Sequence, residues 1–348
     1  MGCTKLISGT GQGLDVTSVL PDGVRNEKGW QMLASPGEFP FPIPTGWFRV
    51  GFLDQLAPNQ ATRLRFWGEE LVLVSTASRD VGLFAAHCPH LGAHLGFGAV
   101  VEGEEFRCPF HAWRFGLAGE CLEIPYAKRI PSRARLRRYP TEVRNGIVWA
   151  WYHPSEAPPS WPTPEIPELE SSQWSAPTHH HWTIRTRNQE IAENTSDPAH
   201  FRAVHGFADA PEPVITFEGP LYRSVTLSRV PRPDGEMAES RLEVTWHGMG
   251  LGVVRSSGAF ELLVVGSNTP IDEDTVDACF SFAVNQARGL RPNEGAGRAF
   301  IAEAIRQMEQ DIPIWENKVF APQPLLCDGD GPIGAFREWA KQFYPEAT

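Results

Sequence analysis

Two short clusters, Cys88-Pro89-His90 and Cys108-Pro109-Phe110-His111, restrict this chain more than any other feature of it. Seventeen residues separate them. Thiolate and imidazole donors, paired on two loops, can enclose zinc or an iron–sulfur centre. From spacing alone a zinc knuckle is the alternative. Bringing two such loops together calls for a frame of short strands, and the intervening segment reads as a hairpin. The other four cysteines, Cys3, Cys121, Cys279 and Cys327, are too scattered for a disulfide scaffold. A reducing, cytoplasmic location is therefore expected.

A second constellation lies in Asn194-Thr195-Ser196-Asp197-Pro198-Ala199-His200-Phe201-Arg202-Ala203-Val204-His205. Asp197 before Pro198 suits a helix N-cap and first turn, and Gly206 suits the helix end. Capping leaves His200 and His205 unexplained. Residues five apart on a straight helix point about 140° away from each other. The two imidazoles can share one metal only where the helix bulges or ends. A third, carboxylate ligand would complete a facial triad with open positions on Fe(II). Asp311 is the candidate, on a helix predicted at about 297–319 with the apolar stripe Ile301, Ile305, Met308, Ile312, Trp315 and Val319. A carboxylate against that stripe is costly unless neutralised. Helix geometry equally permits an Asp at the stripe's edge, reaching solvent.

The chain reads as a leader at 1–37, expected to be disordered, an all-β domain at 38–153 and an α+β domain at 154–348. Short strands and Gly-rich turns fill the first domain. Pro154, Pro158, Pro159, Pro162, Pro164, Pro167 and Pro177 mark the boundary. The second domain shows a strand, a helix at about 189–204, a run of strands, and then the long helix. The start Met1-Gly2-Cys3 suits lipidation, but Leu6 stands where that pattern wants Ser or Thr. No signal peptide and no transmembrane segment is expected, because the longest apolar runs, such as Leu71–Val74, are far too short. The formal net charge of −11 lacks the basic footprint that nucleic acid requires.

Cys88-Pro89-His90-Leu91-Gly92-Ala93 with Cys108-Pro109-Phe110-His111-Ala112-Trp113-Arg114-Phe115 resembles the Rieske pattern, in which two Cys hold one iron of a [2Fe–2S] cluster and two His the other. Ala93 and Phe110 stand where respiratory Rieske domains carry a disulfide, so the oxygenase type is the better match. With the second constellation, residues 40–345 resemble Rieske non-haem iron oxygenases. Ile124-Pro125-Tyr126-Ala127-Lys128-Arg129-Ile130-Pro131 and Leu326-Cys327-Asp328-Gly329-Asp330-Gly331-Pro332 are similar to the 3-ketosteroid 9-alpha-hydroxylase and cholesterol 7,8-desaturase branch.

The resemblance implies a helix-grip catalytic domain and a homotrimer. It implies that Cys88, His90, Cys108 and His111 hold the cluster, and that His200, His205 and Asp311 bind iron. Asn194 would sit near that iron. Asp197 would bridge to the cluster of a neighbouring subunit through His111. Electrons would come from NAD(P)H through a separate reductase, with or without a ferredoxin, for attack by O2 on an apolar substrate, a sterol or steroid first. A smaller aromatic substrate, or a non-catalytic electron carrier or lipid-binding protein, are the alternatives.

Overall fold

The structure, a computed structural model, describes residues 41–206, 212–231, 237–258 and 261–345. The expected leader and the Met1-Gly2-Cys3 motif lie outside the described residues. The described residues up to 318 and from 325 onward form one compact unit.

The first half is built of strands. β1 (Gly46–Phe52), β2 (Gln60–Phe66), β3 (Glu69–Ser75) and β4 (Val81–Ala85) come first. The very short β5 (Val100–Glu102), β6 (Glu105–Arg107), β7 (Arg114–Gly116) and β8 (Cys121–Glu123) follow, then β9 (Arg138–Tyr139), β10 (Thr141–Arg144) and β11 (Ile147–Tyr152). They make three antiparallel sheets, ordered β1-β11-β10, β2-β3-β4-β9 and β5-β6-β7-β8. The last of these is the hairpin frame between and beyond the two Cys/His loops.

The two loops are local copies of each other. Cys88 N–H donates to Ala93 O at 2.8 Å and Gly92 N–H to Cys88 O at 3.0 Å. Cys108 N–H donates to Trp113 O at 2.8 Å and Ala112 N–H to Cys108 O at 3.2 Å. Each loop needs a left-handed residue at its fifth position, Gly92 at φ 74° and Ala112 at φ 58°. Glycine adopts that conformation freely, whereas alanine bears a cost of about 1–2 kcal/mol.

After β12 (Thr178–Ile184), α1 (Asn188–Glu193) and α2 (Pro198–Ala203) come β13 (Val214–Glu218), β14 (Leu221–Pro231), β15 (Met237–His247), β16 (Leu251–Ser257), β17 (Leu262–Pro270) and β18 (Val276–Val284). Then come α3 (Gly295–Asn317) and α4 (Ile333–Ala340). The strands β13 to β18 form an antiparallel meander, with β12 added beyond β18 to make seven.

Period-two alternation gives this sheet two different faces. Leu251, Val253, Leu263, Val265, Cys279 and Ala283 pack against Trp47, Trp149 and Trp151 of β1 and β11. The opposite face, with Val254, Val264, Phe280 and Phe282, meets α3 through Phe300, Ile301 and Ile305. Burial on both faces explains the unbroken apolar run Leu262–Val265. Arg49 on β1 ties the halves together, donating to Ser267 Oγ at 2.9 Å and to Asp277 Oδ2 at 2.8 Å.

The helix predicted at 189–204 is divided. α1 runs into a 3-10 turn, Asn194–Ser196, and α2 starts afresh at Pro198. The cause is local: a residue before proline is driven from the helical region, and Asp197 sits at φ −111°, ψ 92°. Pro313 does not end α3, which continues to Asn317. The segment Gly329-Asp330-Gly331-Pro332-Ile333-Gly334 has the glycine spacing of a dinucleotide-binding loop. No strand leads into it, and it opens the short α4, so it lacks the strand–turn–helix setting of that fingerprint. Its Gly331 packs against the Ser196 carbonyl, which a Cβ there would approach to 1.8 Å.

Candidate functional site

The cluster loops bring Cys88, His90, Cys108 and His111 together at one edge of the first half. Both thiols are buried, and burial pushes the Cys88 thiol up to about 12. The His90 ring lies flat on Trp113, with centroids 4.7 Å apart at 10°, and edge-on to His111 at 4.6 Å. Trp113 is held in turn by donating from Nε1 to Tyr126 OH at 2.8 Å. His90 Nδ1 is buried without a hydrogen-bond partner. A buried, orphaned imidazole nitrogen on one loop and a buried thiol on each are donors of the kind an iron–sulfur cluster takes. Leu91 and Phe110 stand out beside the histidines, 65% and 60% exposed.

The break between α1 and α2 builds the second centre. Asp197 Oδ1 caps α2, accepting from Ala199 N at 3.0 Å and His200 N at 3.3 Å. α2 ends at Ala203, so His205 lies past its last turn and swings back toward His200, their rings 5.1 Å apart. Asp311 on α3 is 7% exposed. Ligand atoms of His200, His205 and Asp311 all lie within 4.8 Å of one another. His205 Nε2 is 3.4 Å from Asp311 Oδ2.

Asn194 Nδ2 donates to Asp311 Oδ2 at 3.0 Å and meets His200 Nε2 at 3.2 Å. Burial pushes the Asp311 carboxyl up to about 6, against the opposing pull of His205 and Asn194. Burial also lowers His200, favouring the neutral imidazole that binds metal. Two imidazoles and a buried carboxylate short of positive charge fit a divalent iron. The outer nitrogens are oriented as well, His205 Nδ1 by Gln310 Oε1 at 3.0 Å and His200 Nδ1 by the Asp197 carbonyl. The second oxygen of Asp197, Oδ2, is 3.9 Å from His200 Nδ1, too far for a hydrogen bond, and the side chain is 36% exposed.

Gln310 was missed from sequence, although it adjoins Asp311. The remaining histidines belong to neither donor set, although His87 adjoins Cys88. His87 and His94 pair across a β-bridge. His179 Nδ1 meets Ser281 Oγ at 2.8 Å, and His181 Nε2 lies 3.6 Å from Cys279 Sγ, on the sheet face away from α3.

A cavity of about 330 Å³ opens beside His200, His205 and Asp311, between α3 and the sheet. Its floor is one cross-strand row, Trp246, Gly252, Gly266 and Phe280, each opposite the next. The two glycines make room for the neighbouring rings, Trp246 lying over Gly252 and Phe280 over Gly266, and the rings form the floor. Phe300, Met308 and Trp315 of α3 form part of the opposite wall. No helix among the described residues is long and apolar enough to cross a membrane.

Comparison with known proteins agrees with both centres. Residues 46–140 match the Rieske [2Fe-2S] domain, and residues 150–344 match the 3-ketosteroid 9alpha-hydroxylase C-terminal domain. The oxygenase component of 3-ketosteroid-9-alpha-monooxygenase from Mycolicibacterium smegmatis is 31% identical over 330 residues, covering 90% of this chain and 85% of that one. The cholesterol 7-desaturase nvd of Drosophila melanogaster is 30% identical over 333 residues, covering 88% and 76%. Pseudomonas putida CBB5 NdmA, solved with caffeine, shares the fold with a TM-score of 0.66 at 18% identity, over 85% of this chain and 89% of that one. With its [2Fe–2S] domain, its mononuclear iron chemistry and its need for electron-transfer partners, the chain belongs to the Rieske non-haem iron oxygenases, in the family of the 3-ketosteroid 9-alpha-hydroxylases.

Proposed function

We propose that this oxygenase oxidises a sterol or steroid, by hydroxylation, desaturation or oxidative demethylation. The observation that carries this reading is the trough. It is apolar, floored by the Trp246 and Phe280 rings that lie over Gly252 and Gly266, and open to His200, His205 and Asp311 at one side. A flat fused-ring skeleton suits an aromatic floor, and the relatives' names point to the same class of compound. Cys88, His90, Cys108 and His111 would hold the cluster, in a domain spanning 38–153. His200, His205 and Asp311 would hold the iron, in a domain spanning 154–348.

When bound, the iron supplies a site for O2 and the cluster supplies electrons one at a time. The protein's own part is to favour the neutral form of His200, to aim Asp311 through Asn194, and to exclude water from the trough. Electrons would start at NAD(P)H and pass through a reductase, with or without a ferredoxin. The last transfer would cross a subunit boundary of a homotrimer, from His111 of one copy to Asp197 of the next. The part-exposed Asp197 side chain and the exposed Leu91 and Phe110 support that docking.

The test is a substrate screen with a surrogate ferredoxin and reductase, followed by mass spectrometry. Sterols or steroids should yield oxidised products. Turnover of small aromatics with none of any sterol would contradict the reading.

A further inference from the structure

The trough has few polar groups away from the iron ligands, and nearly all are already engaged. Thr195 Oγ1 donates to Ala192 O at 2.5 Å and accepts from Trp246 Nε1 at 3.0 Å. Glu303 Oε2 accepts from Arg306 Nε at 2.8 Å, and its Oε1 accepts from Arg306 and, at 2.8 Å, from Gln307 Nε2. These bonds hold the Glu303 carboxyl low, near 2, so it stays a carboxylate. A carboxylate only accepts, which settles which end of the Gln307 amide faces it. The amide nitrogen is committed, and the carbonyl oxygen Oε1 has no partner among the described residues.

We infer that the trough is built for a polycyclic alcohol rather than the corresponding ketone, with the substrate hydroxyl donating to Gln307 Oε1. This rests on the sterol reading and narrows it. Gln307 lies four residues before Asp311 on α3, about 6 Å along the helix axis. A flat ring system on the Trp246–Phe280 floor can therefore reach Gln307 with one end while presenting a C–H bond beside Asp311. A ketone gains little there. It cannot donate, and approaching the remaining amide hydrogen brings its oxygen toward the Glu303 charge.

The probes are 5α-androstan-3β-ol and 5α-androstan-3-one, which differ only in that group. Equilibrium dialysis against the iron-loaded enzyme should show the alcohol bound about tenfold more tightly, the weight of one hydrogen bond. In Gln307→Leu the alcohol should weaken about tenfold, the ketone should be unchanged, and the preference should vanish. Glu303→Gln, which frees the amide to turn over, should shrink the preference without abolishing binding. Equal binding of the two compounds by the unaltered enzyme, or a preference that survives in both variants, overturns the inference and leaves the sterol reading standing. Binding of neither compound overturns the sterol reading, and the inference with it.

Discussion

Asn194 donates its side-chain amide to Asp311 at 3.0 Å, joining residues 117 apart in sequence. The same amide nitrogen lies 3.2 Å from His200 Nε2, the nitrogen that faces the proposed iron position, so the ligand it orients is Asp311. Groups that orient ligands typically account for 10–100-fold in metal affinity. Asn194→Ala should weaken iron binding by about that factor while the cluster's spectrum stays as it was. Titration of iron into metal-stripped protein measures the first, and EPR of the reduced cluster the second.

Asp197 has two separable tasks. One oxygen, Oδ1, caps α2, and the other, Oδ2, lies 3.9 Å from His200 Nδ1, beyond hydrogen-bond reach. Asparagine keeps an oxygen for the cap but loses the charge and one acceptor. Asp197→Asn should therefore fold, load metal and accept electrons at the cluster, yet form little product. Near-normal product yield from a pre-reduced sample would reduce Asp197 to a cap.

The aromatic floor is open to a direct steric test. A Cβ at Gly266 would come 3.1 Å from the Phe280 ring, and one at Gly252 would come 3.1 Å from Trp246. Gly266→Val should push the Phe280 ring into the trough, and steroid affinity should fall at least about tenfold. Iron content and the cluster spectrum should not change, because neither centre uses that position. Unchanged affinity would move the substrate to another surface.

His247 on β15 gives a pH signature independent of either metal. Burial, with added repulsion from Arg255 and Arg223, lowers it to about 4. Its folded value lies below the unfolded one of about 6.5, so the unfolded chain binds more protons between them. Stability from this group is present above about 6.5 and lost as pH falls toward 4, on the order of 2 kcal/mol. Urea unfolding at pH 7 and pH 4.5 should show that loss, and His247→Gln should flatten it.

Most of the frame was legible because its signals are local. The Cys/His spacing, the stripe of α3 and the Asp197-Pro198 cap depend on near neighbours in sequence. The helix drawn through 189–204 failed at a point the same motif announced, since Pro198 forces Asp197 out of the helix. The burial of Asp311 was undecided because it depends on what covers α3, and that sheet is formed by residues far away in sequence. Gln310, Gln307 and the Gly252–Gly266 pair were missed for the same reason. Each acquires a role only when β16, β17 and α3 meet.

Metal and sulfide analysis of anaerobically purified protein, paired with EPR, tests the two-centre account most directly. The unaltered chain should carry about three irons and two acid-labile sulfides, two of the irons in the cluster. Asp311→Ala should lose one iron, keep both sulfides and the Rieske-type signal, and turn over no substrate. A colourless protein holding zinc at Cys88, His90, Cys108 and His111, or an Asp311→Ala variant with full iron and full turnover, would contradict it.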